Sequence, residues 1–166
     1  VEPNTTERSG GWIVRAGERI LRTRWLVRAP IWLFRAGAGF LFGGRLLLLE
    51  HTGRNSGQRR YVVLEVVSRP TPGSFVVASG FGPNAQWYRN VIAHPEVRVR
   101  WSSRPAAKAI AHPLAQREAS AILTQYATAH PQTWATLGPV FEATLGAPIN
   151  GPETELPMVR LDVVRV

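Results

Sequence analysis

The chain has 166 residues, 45% of them apolar, and a formal charge of +9; that is enough for one domain with a proper core, and it excludes disorder throughout. The absence of cysteine excludes disulfides, thiolate zinc sites and cysteine nucleophiles and fits a reducing compartment such as the cytoplasm. Residues 1–60 carry 11 Arg against 4 Glu, a net of +7, and residues 61–166 a net of +2, so the partner of the basic half is expected to be anionic: a phosphate-bearing cofactor, an anionic membrane surface or nucleic acid.

Residues 1–10 read as a flexible start, and 11–166 as a single domain. The start does not read as a signal peptide, because polar residues and two glutamates precede any apolar stretch. Gly11–Arg22 reads as a short helix. In Trp25–Phe42, Arg24, Arg28 and Arg35 share one side of a helix, with Trp25, Trp32, Leu33 and Phe40 largely off it. Pro30 interrupts any single long helix there, or starts a second. Two readings stay open for this stretch: a helix covering one end of the core, which is preferred, and a peripheral contact at the inner face of the membrane. No run reaches the roughly 18 uncharged apolar residues of a membrane span.

The chain then turns strand-like. Arg45–His51, Arg59–Ser68 and Ser74–Ala78 are leucine-rich or β-branched and separated by Gly/Pro/Ser turns, with Pro70–Gly73 as a hairpin connection. Asn84–His94 reads as a helix with Asn84 as its N-cap and Pro95 ending it. Glu96–Trp101 alternates V-R-V-R as a half-buried strand, and Arg104–Ala111 is its expected hairpin partner across Ser102–Ser103. Leu114–Ala129 and Gln132–Leu145 read as helices, Ala147–Pro157 as a loop, and Met158–Val166 as a closing strand. About six strands with interspersed helices predict an α+β chain whose antiparallel sheet curls into a small barrel.

Two segments carry the chemistry. In L-L-L-L-E-H-T-G-R-N-S-G-Q-R-R-Y, Leu46–Tyr61, an apolar run ends at a turn bracketed by Gly53 and Gly57. Arg54, Asn55, Ser56, Arg59 and Arg60 put three cations and two neutral hydrogen-bonding side chains on that bend, a donor set for phosphate or carboxylate. The turn is neither a P-loop nor a dinucleotide fingerprint, since both of those glycine patterns are missing. In V-A-S-G-F-G-P-N-A-Q-W-Y-R-N-V, Val77–Val91, a strand ends in small residues and a loop leads into a helix. Ala78, Ser79 and Gly80 would let a flat ring lie against the backbone, and Trp87 and Asn90 are i,i+3 neighbours on the helix. The four histidines lack metal-ligand spacing, so no metal site is expected. His51 adjoins the turn and could touch phosphate; the histidines otherwise read as surface or turn residues. No G-x-S-x-G elbow is present. Glu50 and Glu65 sit in strands, with arginine pairing as their ordinary role.

Taken in order, T-G-R-x-S-G-x-x-R, V-A-S-G-x-G, W-Y-x-N and the H-P-x-V-x-V strand resemble the deazaflavin-dependent nitroreductase family, the coenzyme F420-dependent oxidoreductases of the flavin-reductase/FMN-binding-like split β-barrel. The resemblance covers roughly Leu46–Arg100. It implies a split barrel and binding of coenzyme F420 (8-hydroxy-5-deazaflavin), with flavin mononucleotide as the second choice. By carry-over, Arg54, Asn55, Ser56, Gly57, Arg59 and Arg60 would hold the phosphate and polyglutamate tail. Ala78, Ser79 and Gly80 would line the ring, with Trp87, Tyr88 and Asn90 supporting it from the helix. Tyr126, His130 and Trp134 would cap the substrate side, and Tyr88 and Tyr126 are the candidate proton donors beside water. Asn55 stands where the pattern often has a further cation, a loss that Arg59 could offset.

The expected activity is hydride transfer from the reduced cofactor to an apolar conjugated acceptor: a quinone, an enone or enal, or a nitroaromatic. The expected partner is thus a small hydrophobic substrate and not nucleic acid, with the chain a monomer or homodimer. The alternatives are a non-catalytic deazaflavin, flavin or lipid binding protein, and a basic membrane-surface protein.

Overall fold

The computed structural model describes residues 43–145 and 156–164, together with Ile31 and Ala36. The expectations for 1–10, for the helices over 11–42, for the membrane contact at Trp25–Phe42 and for most of the 147–157 loop lie outside these residues.

Six strands close into an antiparallel barrel: β1 (Leu46–Thr52), β2 (Arg59–Ser68), β3 (Ser74–Ala78), β4 (Glu96–Trp101), β5 (Ala107–Pro113) and β6 (Met158–Val163). Their order around the barrel is β1-β2-β3-β6-β5-β4, so the last strand fits between β3 and β5. Closure removes the edges that an open sheet of this size would expose. Strand alternation fills the interior with Leu47, Leu49, Phe75, Val77, Val97, Val99, Ala109, Ala111, Val159 and Leu161. Each large aliphatic side chain in that set contributes roughly 1.5–3 kcal/mol by leaving water. Arg98 faces outward between Val97 and Val99, as the V-R-V-R alternation requires.

Among the described residues, three α-helices dress the barrel: α1 (Gln86–Ala93), α2 (Gln116–Ala129) and α3 (Pro131–Leu145). Trp87 and Val91 of α1 join the interior core. The inward face of α2, with Ala119 and Leu123, packs on a second apolar cluster outside the barrel, formed with Val76, Met158 and Leu156.

Several boundaries differ from expectation by one to three residues, and two of the shifts have a clear local cause. Asn84 is not the cap of α1: it belongs to a 3-10 turn, Gly82–Asn84, and Ala85 is the capping position with no side-chain hydrogen bond. Pro83 favours that turn because its fixed φ suits a helical start. The strand after Ser102–Ser103 runs from Ala107 to Pro113 and not from Arg104 to Ala111. Pro105 has no N–H to give the ladder. Arg104 N–H instead closes the turn onto the Trp101 carbonyl at 3.2 Å, and the Arg98 guanidinium donates to the Ala106 carbonyl at 3.3 Å.

Candidate functional site

The β1–β2 connection is a small structured cradle. Gly53 N–H donates to the Gln58 carbonyl and Gly57 N–H to the Gly53 carbonyl, both at 2.8 Å. Gly57 has φ +65°, a backbone region that L side chains rarely adopt. A Cβ on Gly53 would lie 2.7 Å from Ser56 Oγ and 2.9 Å from Arg60 Nε, so the serine and the arginine stem close over that glycine. Asn55, Ser56, Arg59 and Arg60 are exposed. Arg59 leans toward Glu50 at 3.6 Å, a solvent-screened pair.

Helix α1 fixes this cradle to the barrel. Arg54 N–H and Arg54 Nη1 both donate to Asn90 Oδ1 at 3.1 Å, and Nη1 also donates to Gln86 Oε1 at 3.0 Å. Asn90, only 3% exposed, is thereby oriented with its amide nitrogen toward His51 Nδ1 at 3.2 Å. That nitrogen therefore accepts, and the ring proton of neutral His51 sits on Nε2. Burial, reinforced by the charge of Arg60, pushes His51 down to about 4. Gly53, Arg54, Asn55, Ser56, Arg60, Gln86 and Asn90 line one cleft of about 160 Å³.

His51 is 5% exposed and turned to Asn90. This corrects its expected place as a surface or turn residue in reach of phosphate: the strand alternation that buries Leu47 and Leu49 also points residue 51 inward. Gln86 was missed by sequence reasoning, although its i,i+4 spacing to Asn90 puts both on one helix face.

The second half of the site lies where β3 ends. Ser79 is fully buried: its N–H donates to the Pro157 carbonyl and its Oγ to the Gly82 carbonyl at 2.7 Å. Ala78 and Gly80 are half-buried. Tyr88 is half-buried and edge-on to the buried Trp87 at 5.9 Å. Ala78 and Trp134 pack on the outer apolar cluster under α2. Val66 pairs with Val77, so Glu65 comes abreast of Ala78 on the neighbouring strand. Tyr126 is buried near the end of α2, with its hydroxyl donating to Glu65 Oε1 at 2.7 Å and its ring 4.9 Å from that of His130. The fold thus brings Tyr126, His130 and Trp134 to the side of the barrel that carries Ala78. From Arg60 to Glu65 along β2 is about 17 Å of strand, which gives the two halves the separation of the two ends of a long ligand.

A closed antiparallel barrel with a basic cradle at one hairpin and small residues at a strand end defines a split-barrel protein. A family model described as F420H(2)-dependent quinone reductase matches residues 28–136. A curated Mycobacterium tuberculosis protein, "Putative F420H(2)-dependent quinone reductase Rv3178", is 37% identical over 81 residues, covering 46% of this chain and 67% of that protein. Among solved structures, an F420-H2 dependent reductase (FDR-A) superposes with a TM-score of 0.51 at 23% identity, over 71% of this chain and 94% of that one. Another, described as a domain-swapped dimer, has a TM-score of 0.51 at 22% identity, over 92% and 98% of the two chains. These structures share the fold. The chain belongs to the F420H(2)-dependent quinone reductase family, and it is accordingly an oxidoreductase whose cofactor is coenzyme F420.

The residues present fit that cofactor. Its phosphate and glutamate tail need cationic and N–H donors, which the cradle offers from Arg54, Ser56, Arg59 and Arg60. The Gly53 position, which a Cβ would crowd, keeps Arg60 folded over the cleft.

Proposed function

We propose that this protein reduces quinones, and apolar conjugated acceptors of similar shape such as enones, enals or nitroaromatics, with reduced F420. The observation that carries the reading is the tie between Arg54 and Asn90, which joins the anion cradle to the helix that follows Ala78–Gly80. Bound reduced F420 supplies a hydride, and a quinone that takes it up with a proton becomes a hydroquinone.

The residues divide the work. Arg54, Asn55, Ser56, Gly57, Arg59 and Arg60 bind phosphate and tail, with Arg54 held by Gln86 and Asn90. Ala78, Ser79 and Gly80 flank the ring; Ser79 acts by its small size, since its hydroxyl and its backbone N–H and carbonyl are all hydrogen-bonded within the protein. Trp87 sets the floor from within the barrel core, and Tyr88 presents the exposed edge of that helix. Tyr126, His130 and Trp134 form the acceptor side with the apolar cluster under α2. Tyr126 is pushed up to about 12 by burial and by the Glu65 carboxylate, so it stays neutral, and with its hydrogen donated to Glu65 it serves there as a fixed aromatic ring. The proton then comes from water or from Tyr88.

Apolar acceptors partition into membranes, and the arginine–tryptophan stretch Trp25–Phe42 suits contact with the inner membrane face from the cytoplasm. Among the described residues no helix is long and apolar enough to cross a membrane. We take the chain to work as a monomer or homodimer.

The test is anaerobic consumption of reduced F420. Adding a soluble quinone to protein and reduced cofactor should return the absorbance of the oxidised form catalytically. Saturable binding with no consumption across quinone, enone and nitroaromatic acceptors would instead make the protein a cofactor carrier.

A further inference from the structure

Glu65 sits at the centre of a three-element hydrogen-bond chain. Its Oε1 accepts from Tyr126 Oη at 2.7 Å and from Arg45 Nη2 at 2.9 Å. Arg45 precedes β1, Glu65 is on β2 and Tyr126 is on α2. Tyr126 is 6% exposed, whereas the Arg45 side chain is 58% exposed and that of Glu65 29%. An ion pair this open adds little to the stability of the fold. The pair's geometric effect is larger: a carboxylate with one oxygen shared between two donors fixes the phenol's torsion and the ring's place. Glu65 lies abreast of Ala78, and Ala78 packs in the same outer cluster as Trp134. Among the described residues, the charged and titratable groups facing Tyr126 are Glu65 from β2, Arg45 from the segment before β1, and His130 from the end of its own helix.

We propose that Glu65 is the positioning residue that fixes Tyr126 over the acceptor side of the site, with Arg45 holding Glu65 in turn. The proposal rests on the reading of Ala78–Gly80 as the ring side of the cofactor cleft. Burial and the carboxylate keep the phenol protonated, and its single hydrogen is committed to Glu65, so what Tyr126 presents to the acceptor is a ring face held in one orientation. No bond to Glu65 is made or broken in turnover; its effect reaches the acceptor only through Tyr126.

The test compares the full-length protein with Glu65→Gln, Glu65→Ala, Tyr126→Phe and the double variant Glu65→Ala/Tyr126→Phe. With reduced F420 and a soluble quinone, Glu65→Ala should raise KM for the quinone about tenfold, the worth of one charge-assisted hydrogen bond. Glu65→Gln keeps an accepting oxygen and should recover to within about threefold of wild type. Tyr126→Phe should match Glu65→Ala, and the double variant should be no worse than either, as expected for two groups acting as one. Affinity for F420, read by its fluorescence, should stay at the wild-type value in every variant. On the unliganded protein, phenolate absorbance should show one tyrosine ionising at lower pH in Glu65→Ala than in wild type, a change absent from the double variant.

A wild-type KM in Glu65→Ala, or losses that multiply in the double variant, would overturn the proposal. A fall in melting temperature with unchanged KM would also overturn it and make the chain of hydrogen bonds structural. Failure of the functional reading is separate: it would appear as a wild-type protein that does not bind F420, while the tyrosine titration would still report the Glu65–Tyr126 contact.

Discussion

Asn90 shows how much one side chain can carry. Its oxygen accepts from the backbone and the guanidinium of Arg54, and its nitrogen donates to His51, all in a buried setting. Asn90→Ala strands a backbone donor and an imidazole nitrogen, which should cost about 2–4 kcal/mol in denaturant unfolding. His51 gives the fold a pH dependence whose sign is fixed. Its pKa is lowered from 6.5 to about 4, so the folded state resists a proton that the unfolded chain accepts. The stability from neutral His51 is fully present above about pH 6.5 and is lost as pH falls to about 4, by up to about 3 kcal/mol. Unfolding measured across that window should show a slope that His51→Gln removes. An unchanged slope would mean that carboxylates set the acid limb. Arg54, Ser56 and Asn90 were legible in the sequence because the turn and helix motifs are short and local. His51 and Gln86 were not singled out in their actual roles, because their partners are 39 and 32 residues away and a histidine's burial depends on strand registry.

The hairpin cradle and helix α1 work as a pair, and a glycine sets their fit. Gly53→Ala would press a methyl group against Ser56 Oγ and Arg60 Nε. Both are side-chain atoms that can swing outward, so the cost to stability should be small, about 1 kcal/mol. The arginine leaves the cleft as it moves, so F420 binding should weaken about tenfold. A variant with full affinity and a lower melting temperature would place Arg60 outside the binding site. The strands and helices of 45–145 were readable in type and order, with ends within about three residues, because leucine-rich and alternating runs alternate with Gly/Pro punctuation and each element agrees with its local propensity. The miss at the start of α1 has a local cause: Pro83 and Gly82 build a 3-10 turn that moves the cap past Asn84. At β5, Pro105 delays the ladder, a shift that hairpin symmetry alone does not foresee.

Barrel closure is what turns two motifs into one site. With β2 beside β3, Glu65 faces the Ala78 position, α2 brings Tyr126 onto Glu65, and α3 brings Trp134 onto the outer cluster that includes Ala78. The motifs predicted the cradle and the ring side separately. The Glu65–Tyr126 contact spans 61 positions and follows only from packing, which is why both residues were visible singly and their link was not. Charge acts over the whole molecule as well. With +9 overall and Arg54, Arg59 and Arg60 on the cradle, affinity for the multiply anionic cofactor should fall as salt rises. The most direct measurement is equilibrium titration of wild type and Arg60→Ala with intact F420 and with its deazaflavin core lacking phosphate and tail. The account predicts that Arg60→Ala weakens intact F420 about tenfold and leaves the core's affinity unchanged. Equal binding of intact F420 by both proteins, or an equal loss for the core, would show that the cradle does not hold the cofactor's anionic end.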